Sequence, residues 1–346
     1  MSTELSEIVE ELNKQYGDII IPGGRLVEKS GNYISTGLLG MDIALNGGIR
    51  EGTWVHIGSL PKTGKTSFCL NIVASAQKMG KNVYFVDVEG RLQTELLDCI
   101  DGLNKDTLKV IKSGEDKILS AEDYLSIIEK LLKDDPGCVV ILDSLAVLCP
   151  EVELASEMNE MQRATVPKLM YKFLRKISPM LSTAKSTFIS ITHLQANPSG
   201  YGSPFKEVGG YASNYGASYW LMGISSSKVE GPDGKQIGKD TKFRIMATAS
   251  GPPDAEPIVP VRYGRGCDKY VDMARISEEM GFIKKAGAWF EVQLPELKKE
   301  GKLPKLQGEA KLVKYLEETP EAFELLNSTI RDLVFAKKEK KEKKGN

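Results

Sequence analysis

Four short apolar runs recur between residues 54 and 193, each broken off by polar residues. They are Trp54-Val55-His56-Ile57, Asn82-Val83-Tyr84-Phe85-Val86-Asp87-Val88, Cys138-Val139-Val140-Ile141-Leu142-Asp143-Ser144 and Thr187-Phe188-Ile189-Ser190-Ile191-Thr192-His193. Nearly continuous runs of this length read as strands buried on both faces rather than on one. Between them the apolar period lengthens to that of a helix. Phe68, Leu70, Ile72 and Val73 follow the first run, Tyr124, Ile127, Ile128, Leu131 and Leu132 share one side of a helix over 121–133, and a further helix covers 166–181. Strands alternating with helices predict an α/β fold, a mostly parallel sheet covered on both sides.

The flanks are patterned differently. Residues 4–16 carry Leu5, Ile8, Val9 and Leu12 as a helical stripe on a charged segment, ahead of Pro22-Gly23-Gly24. Such a stripe packs either on its own domain or on a neighbouring subunit, and periodicity does not choose between them. Residues 194–217 are rich in glycine, serine and asparagine and hold four aromatics, Tyr201, Phe205, Tyr211 and Tyr215. A loop this long inside a domain is usually functional or disordered. Residues 219–264 read as antiparallel strands turning at Gly231-Pro232-Asp233-Gly234. From Lys269 onward the expectation is short helices around Gly281-Phe282 and Ala288-Trp289-Phe290, then a helix over 320–335, together a small C-terminal domain. Residues 337–346 are a Lys/Glu run with nothing to bury, expected to be disordered.

Composition narrows the class. A chain of 346 residues holds one large domain and a small one, or two medium ones. Hydrophobic residues at 41% and charged residues at 27% suit a soluble globular protein. The net charge of −1 means that nucleic-acid binding would have to come from local patches. The five cysteines never form C-x-x-C, which argues for a reducing compartment and against zinc or a disulfide framework. With no signal sequence and no run approaching 18 apolar residues, a soluble, cytoplasmic protein with no membrane segment is expected.

The densest chemistry lies at residues 56–67, where strand, glycine-containing loop and helix follow one another. That order is the layout of a phosphate-binding loop, although an ordinary strand–turn–helix shares it. Ser59, Leu60, Pro61, Lys62, Thr63, Gly64, Lys65, Thr66 and Ser67 would cradle phosphates at a helix N-terminus, with Lys65 on the β- and γ-phosphates and the Thr66 hydroxyl on Mg²⁺. One position departs from G-x-x-x-x-G-K-[ST]: Ser59 stands where the first glycine belongs, and the glycine is Gly58. Asp143, at the tip of its strand, is the candidate for the Mg²⁺ shell, with Ser144 adding a polar contact. Glu89 and Asp87 both end the neighbouring strand on the same side, and either could orient the attacking water. His193 could report the γ-phosphate to the loop that follows it, whereas His56 sits in an apolar strand and reads as structural. Arg163 and Lys206 are the cations of the two flanking loops, and Lys168, Lys172, Arg175 and Lys176 lie on the adjoining helix. A solvated helix face explains these cations as well as a DNA-phosphate contact does.

These residues together resemble the RecA-type homologous-recombination ATPases, over about residues 8–335. Ile34-Ser35-Thr36-Gly37 with Met41-Asp42-Ile43-Ala44-Leu45 resembles the start of the family's core, Phe85-Val86-Asp87-Val88-Glu89 the segment with its catalytic glutamate, and Val140-Ile141-Leu142-Asp143-Ser144 its metal-binding strand. Tyr263-Gly264-Arg265-Gly266 and Lys285-Ala286-Gly287-Ala288-Trp289-Phe290 resemble the join to the C-terminal domain and its core, which general ATPases lack. The resemblance implies a RecA-like P-loop core over 34–268, an oligomerisation helix within 1–33, an α+β domain over 269–336 and a basic tail over 337–346. It implies Glu89 rather than Asp87 as the base and Tyr263 as a further nucleotide contact. ATP would lie between subunits of a helical filament, with the N-terminal helix packed on the next subunit. Residues 150–163 and 194–216 would be DNA-binding loops, the second carrying Gly209-Gly210, and Lys168 and Arg175 would meet the DNA backbone. The implied activity is ATP-dependent pairing and strand exchange between single-stranded DNA and a homologous duplex. A single-strand-binding protein and a loader are implied as further partners.

The chain also departs from bacterial RecA. His193 replaces a glutamine, as in some phage recombinases of the UvsX type, and two interface lysines align with Ala247 and Ala249. Ser250-Gly251-Pro252-Pro253-Asp254 is similar to the proline-containing nucleotide cap of archaeal and eukaryotic recombinases, and residues 337–344 are basic where bacterial RecA is acidic. These departures favour a phage-encoded recombinase acting in an infected bacterium. A hexameric RecA-fold helicase is disfavoured by the N-terminal helix and the Ala-Gly-Ala-Trp segment, and a non-hydrolysing mediator by intact Lys65, Thr66, Glu89 and Asp143.

Overall fold

The computed structural model describes the chain apart from residues 1, 18–19, 21–31, 158–164, 198–204, 208–215, 299–302 and 343–346; of 2–6, 165, 196, 206–207 and 336–342 it describes the backbone alone. Two units divide between Asn32 and Tyr33. The first contains helix α1 (Ser2–Tyr16), on which Ile8 and Tyr16 are exposed. The Asn13 amide bonds both the N–H and the C=O of Ile20, at 2.8 and 3.1 Å, folding the chain back beyond the helix.

The second unit is built on a large mixed sheet. Its parallel part contains β3 (Trp54–Ser59), β4 (Val83–Asp87), β5 (Leu108–Ile111), β6 (Val139–Asp143), β7 (Thr187–Ala196) and β9 (Tyr219–Glu230). Two short strands precede it, β1 (Tyr33–Ile34) and β2 (Ile49–Arg50), which pair with each other beside α2 (Leu39–Ala44). Across the sheet the order is β9, β3, β7, β6, β4, β5. Every residue of β3 and β6 is buried, as their nearly continuous apolar runs predict. Strands β10 (Gln236–Ala247), β11 (Ile258–Arg262) and β12 (Gly266–Cys267) extend the sheet antiparallel beyond β9, and β8 (Phe205–Glu207) pairs with β7.

Helices cover both faces. On one side α3 (Lys65–Lys78) buries Phe68, Leu70, Ile72 and Val73 against Ile57, Phe85 and Ile141. On the other, α5 (Ala121–Asp134) and α7 (Thr165–Ala184) pack Tyr124, Ile128, Phe173 and Ile177 against Val140 and Phe188; α4 (Thr94–Asp98) and α6 (Glu151–Ala155) are single short turns. A reciprocal capping box starts α5, the Ser120 hydroxyl accepting from Asp123 N–H and the Asp123 carboxylate from Ser120 N–H. The helices predicted over 121–133 and 166–181 thus extend one to three residues further at most at each end.

Two expectations are corrected. The segment around 281–290 is not helical: after α8 (Lys269–Glu279), β13 (Ile283–Ala286) and β14 (Trp289–Val292) form a hairpin, joined by β15 (Lys305–Gln307). Ala286 pairs with Trp289, leaving a two-residue turn in which Gly287 takes φ +59°. A glycine at positive φ in so short a loop selects a hairpin over a helix. The charged tail is also helical as far as Glu342, as part of α10 (Pro320–Glu342), which follows α9 (Glu309–Glu318). Ala322, Leu326 and Ile330 are wholly buried in the C-terminal core and anchor α10, and lysine and glutamate are good helix formers once a helix is nucleated.

Candidate nucleotide site

Strand register assembles the site. In the parallel pairs Ser59 lies opposite His193 on one side and Gly223 on the other, and Asp87 lies opposite Asp143. The strand ends that carry candidate chemistry therefore share one edge of the sheet. They open into a cleft of about 420 Å³ lined by residues 62–67, Glu89, Arg91, Asp143, His193 and Tyr263. Leu92, Leu96, Cys99 and Val261 also line it, and Gln236 Nε2 donates to the hydroxyl of the exposed Tyr263 at 2.6 Å.

The loop before α3 is held from three directions. Gly64 takes φ +94°, and a Cβ there would stand 2.6 Å from Val261 Cγ2, so glycine is required twice over. The Lys65 ammonium donates to the carbonyls of Ser59 and Leu60, both at 3.0 Å. From β10, Thr241 Oγ1 donates to Thr63 O at 2.8 Å and Lys239 Nζ to Lys62 O at 2.9 Å. Ser59, Leu60 and Pro61 do not line the cleft; Ser59 is wholly buried beneath it, its hydroxyl on those of Thr63 and the carbonyl of Leu60. Its position in the glycine slot is accommodated by the neighbouring strand. A Cβ on Gly223 would come within 2.5 Å of Ser59 Cβ, so the serine side chain fits because the residue opposite it is glycine.

Charge in the site is set by burial and near neighbours. Burial pulls the Lys65 ammonium down to about 8, against the opposing influence of Asp143, Glu89 and Cys69. Burial pushes the Asp143 carboxyl up to about 6, partly offset by the hydrogen bond from Thr66 Oγ1 at 2.7 Å. Glu89 is lowered. Burial alone would raise it, but hydrogen bonds from Ser144 and His193 and the charges of His193 and Arg91 outweigh that. Ser144 Oγ donates to Glu89 Oε1 at 2.7 Å, and His193 Nε2 lies 2.7 Å from the same oxygen.

The two acidic candidates have different partners. Asp87 accepts the backbone N–H groups of Arg91 and Leu92, at 3.2 and 2.9 Å, and so fastens the turn after β4. Both carboxylates line the cleft, and Glu89 is the one bonded to His193. His56 is buried, with Nδ1 2.9 Å from Ser190 Oγ.

The candidate DNA-contacting residues are placed less completely. Lys168, Lys172, Arg175 and Lys176 lie on the exposed face of α7, opposite the buried stripe of Met170, Phe173, Ile177 and Leu181. Arg175 stacks on the exposed Tyr171 ring at 4.7 Å, and Lys176 is paired with Glu129 at 2.6 Å. Arg163, Gly209 and Gly210 lie outside the described residues, and of Lys206 only its backbone, on β8, is described. Sequence reasoning missed Arg91, Gly223, Lys239 and Thr241. Arg91 was open to it, two residues beyond Glu89. The others are separated by more than 150 residues from the loop they serve, and only strand pairing brings them there.

The model of the RecA N-terminal domain matches residues 3–268. Protein RecA of Pseudomonas savastanoi pv. phaseolicola is 32% identical over 301 residues, 86% of this chain and 81% of its own length. The chromosomal Protein RecA of Lactococcus lactis subsp. lactis is 30% identical over 337 residues, 94% of this chain and 82% of its own. Protein RecA of Streptococcus pneumoniae is 30% identical over 333 residues.

Proposed function

The chain belongs to the RecA family, and from that membership we propose that it is an ATP-dependent recombination and repair protein. It polymerises on single-stranded DNA, pairs it with a homologous duplex and exchanges strands, with ATP binding favouring the filament and hydrolysis dissolving it. The observation that carries the reading is one cleft joining the Lys65 loop, the Thr66–Asp143 bond and the Glu89–His193 pair.

The chain's own groups divide the work of phosphoryl transfer. Backbone N–H groups of residues 62–67 at the start of α3 receive the phosphates, and Lys65 exchanges its two loop carbonyls for phosphate oxygens. Among the described residues there is no cluster of three or more metal-ligating side chains. Magnesium needs only one or two protein ligands beside the phosphates, and the Thr66 hydroxyl with the Asp143 carboxylate supplies a matching hard-oxygen pair. When bound, Mg²⁺ neutralises charge on the transferring phosphate. Glu89 orients the attacking water, and His193, hydrogen-bonded to Glu89 and continuous with the loop over 194–216, relays the nucleotide state to DNA. Glu89 is preferred to Asp87 because both Asp87 oxygens already accept backbone N–H groups of the following turn.

In the same proposal α1 packs on the next subunit of the filament, and the exposed Lys168 and Arg175 on α7 meet DNA phosphates. The protein acts in the cytoplasm of a bacterial or phage-infected cell, with a single-strand-binding protein and a loader as further partners. No helix among the described residues is long and apolar enough to cross a membrane. Attribution to a phage rests on His193, on alanine at 247 and 249 and on the basic run over 337–344. The decisive experiment is strand exchange with homologous and non-homologous duplexes, with and without ATP. Product from the homologous duplex alone, and only with ATP, is expected; product from both duplexes, or without ATP, overturns the reading.

A further inference from the structure

The two oxygens of Glu89 keep different company. Oε1 already has Ser144 Oγ and His193 Nε2, each at 2.7 Å. Oε2 is met by Arg91 NH1 at 3.1 Å. A carboxylate that orients water must offer an oxygen to it, and Oε2 is the oxygen that Ser144 and His193 leave over. Arg91 covers it.

The arginine is mounted to let go. Its backbone is fixed, because Asp87 accepts the Arg91 N–H. Its side chain is 81% exposed, while that of Glu89 is only 10% exposed. An ion pair with one partner so open to water is weak and easily exchanged. Arg91 also lines the cleft together with Lys65 and Thr66. A terminal phosphate seated there would be a denser anion than Glu89, and a planar guanidinium can pair with two of its oxygens at once.

We propose that Arg91 is a latch that responds to the γ-phosphate. It covers Glu89 Oε2 while the cleft is empty and exchanges onto the γ-phosphate when a nucleoside triphosphate binds. That exchange uncovers the oxygen for water. A diphosphate gives Arg91 no replacement partner, so Glu89 stays covered after hydrolysis. The device makes Arg91 a residue that tells triphosphate from diphosphate, and it rests on the reading of Glu89 as the water-orienting base.

The test uses the full chain with Mg²⁺, titrated with ADP and with a non-hydrolysable ATP analogue. Arg91→Ala is expected to weaken binding of the analogue about tenfold, the worth of one charge-assisted hydrogen bond, and to leave ADP within about twofold. Arg91→Lys keeps a charge and is expected to fall between alanine and the parent. An unchanged ratio of ADP to analogue affinity in Arg91→Ala overturns the latch, as does a lysine variant no better than alanine. Glu89→Gln, assayed for hydrolysis in parallel, separates the two ideas. Parent-like hydrolysis by Glu89→Gln defeats the base reading itself, whereas an inactive Glu89→Gln beside an unchanged Arg91→Ala ratio defeats the latch alone.

Discussion

Gly223→Ala should injure the nucleotide site from the neighbouring strand. In the β3–β9 pair Gly223 lies opposite Ser59, and an added Cβ would stand 2.5 Å from Ser59 Cβ. No rotamer relieves this, because the atom struck is the first of its side chain and Ser59 is wholly buried. The backbone of β3 or β9 must move instead. Overpacking of this kind costs about 1–3 kcal/mol. For 346 residues, an unfolding entropy of about 2.1 cal/mol/K per residue converts that to a fall of about 1–4 °C in melting temperature. Nucleotide affinity should fall with it, because β3 leads directly into the phosphate loop. Ser59→Gly in the same chain removes the atom that is struck, so the double variant should recover both properties, with a coupling of about 1–3 kcal/mol. Thermal unfolding and nucleotide titration of the parent, both single variants and the double variant measure this. A Gly223→Ala protein that melts and binds like the parent would refute the argument, as would a double variant worse than Gly223→Ala.

Other outcomes follow from the same geometry. Lys65→Ala should abolish ATP turnover stimulated by single-stranded DNA, and unchanged turnover would remove the loop from the active site. Glu89→Gln should keep ATP and DNA binding but hold filaments in a long-lived state, visible as slowed disassembly. Because the buried Lys65 is lowered to about 8, it is charged below that pH and progressively neutral above it. Phosphate favours the charged form, so binding should take up a proton above about pH 8 and weaken by up to about tenfold per pH unit there. Calorimetry in buffers of different ionisation heat reads this uptake, and a flat affinity between pH 8 and 9.5 would contradict it. Removing residues 337–346, with six lysines and two glutamates, should weaken duplex capture more at low salt than at high salt. Equal capture at low salt would make the tail an idle end.

The parallel sheet was legible because its strands are apolar on both faces, and the loop because residues 62–67 are consecutive in the chain. Glu89, Asp143 and His193 were legible as strand tips. The different partners of Glu89 and Asp87 were not, since alternation puts both on one side and only the folded turn at 91–92 shows which carboxylate accepts its N–H groups. Ser59 read as a flaw because its compensation, Gly223, lies on β9 and is reached only through register. The hairpin at 283–292 differs from the helices expected there because the turn at Gly287 and the pairing supplied by β15 decide the matter.

The anchoring of the phosphate loop by Thr241 and Lys239 has a kinetic consequence. A loop whose carbonyls are already gripped is a cast mould, and an arriving nucleotide does not have to bear the entropy of setting it. Capture is then governed by encounter and by the exchange of a few side-chain partners. Loosening the grip with Thr241→Val would lengthen the time to capture while leaving the bound state's contacts in place. Discrimination in such a site belongs to the side chains that can still move, and selectivity could be retuned there without recasting the mould.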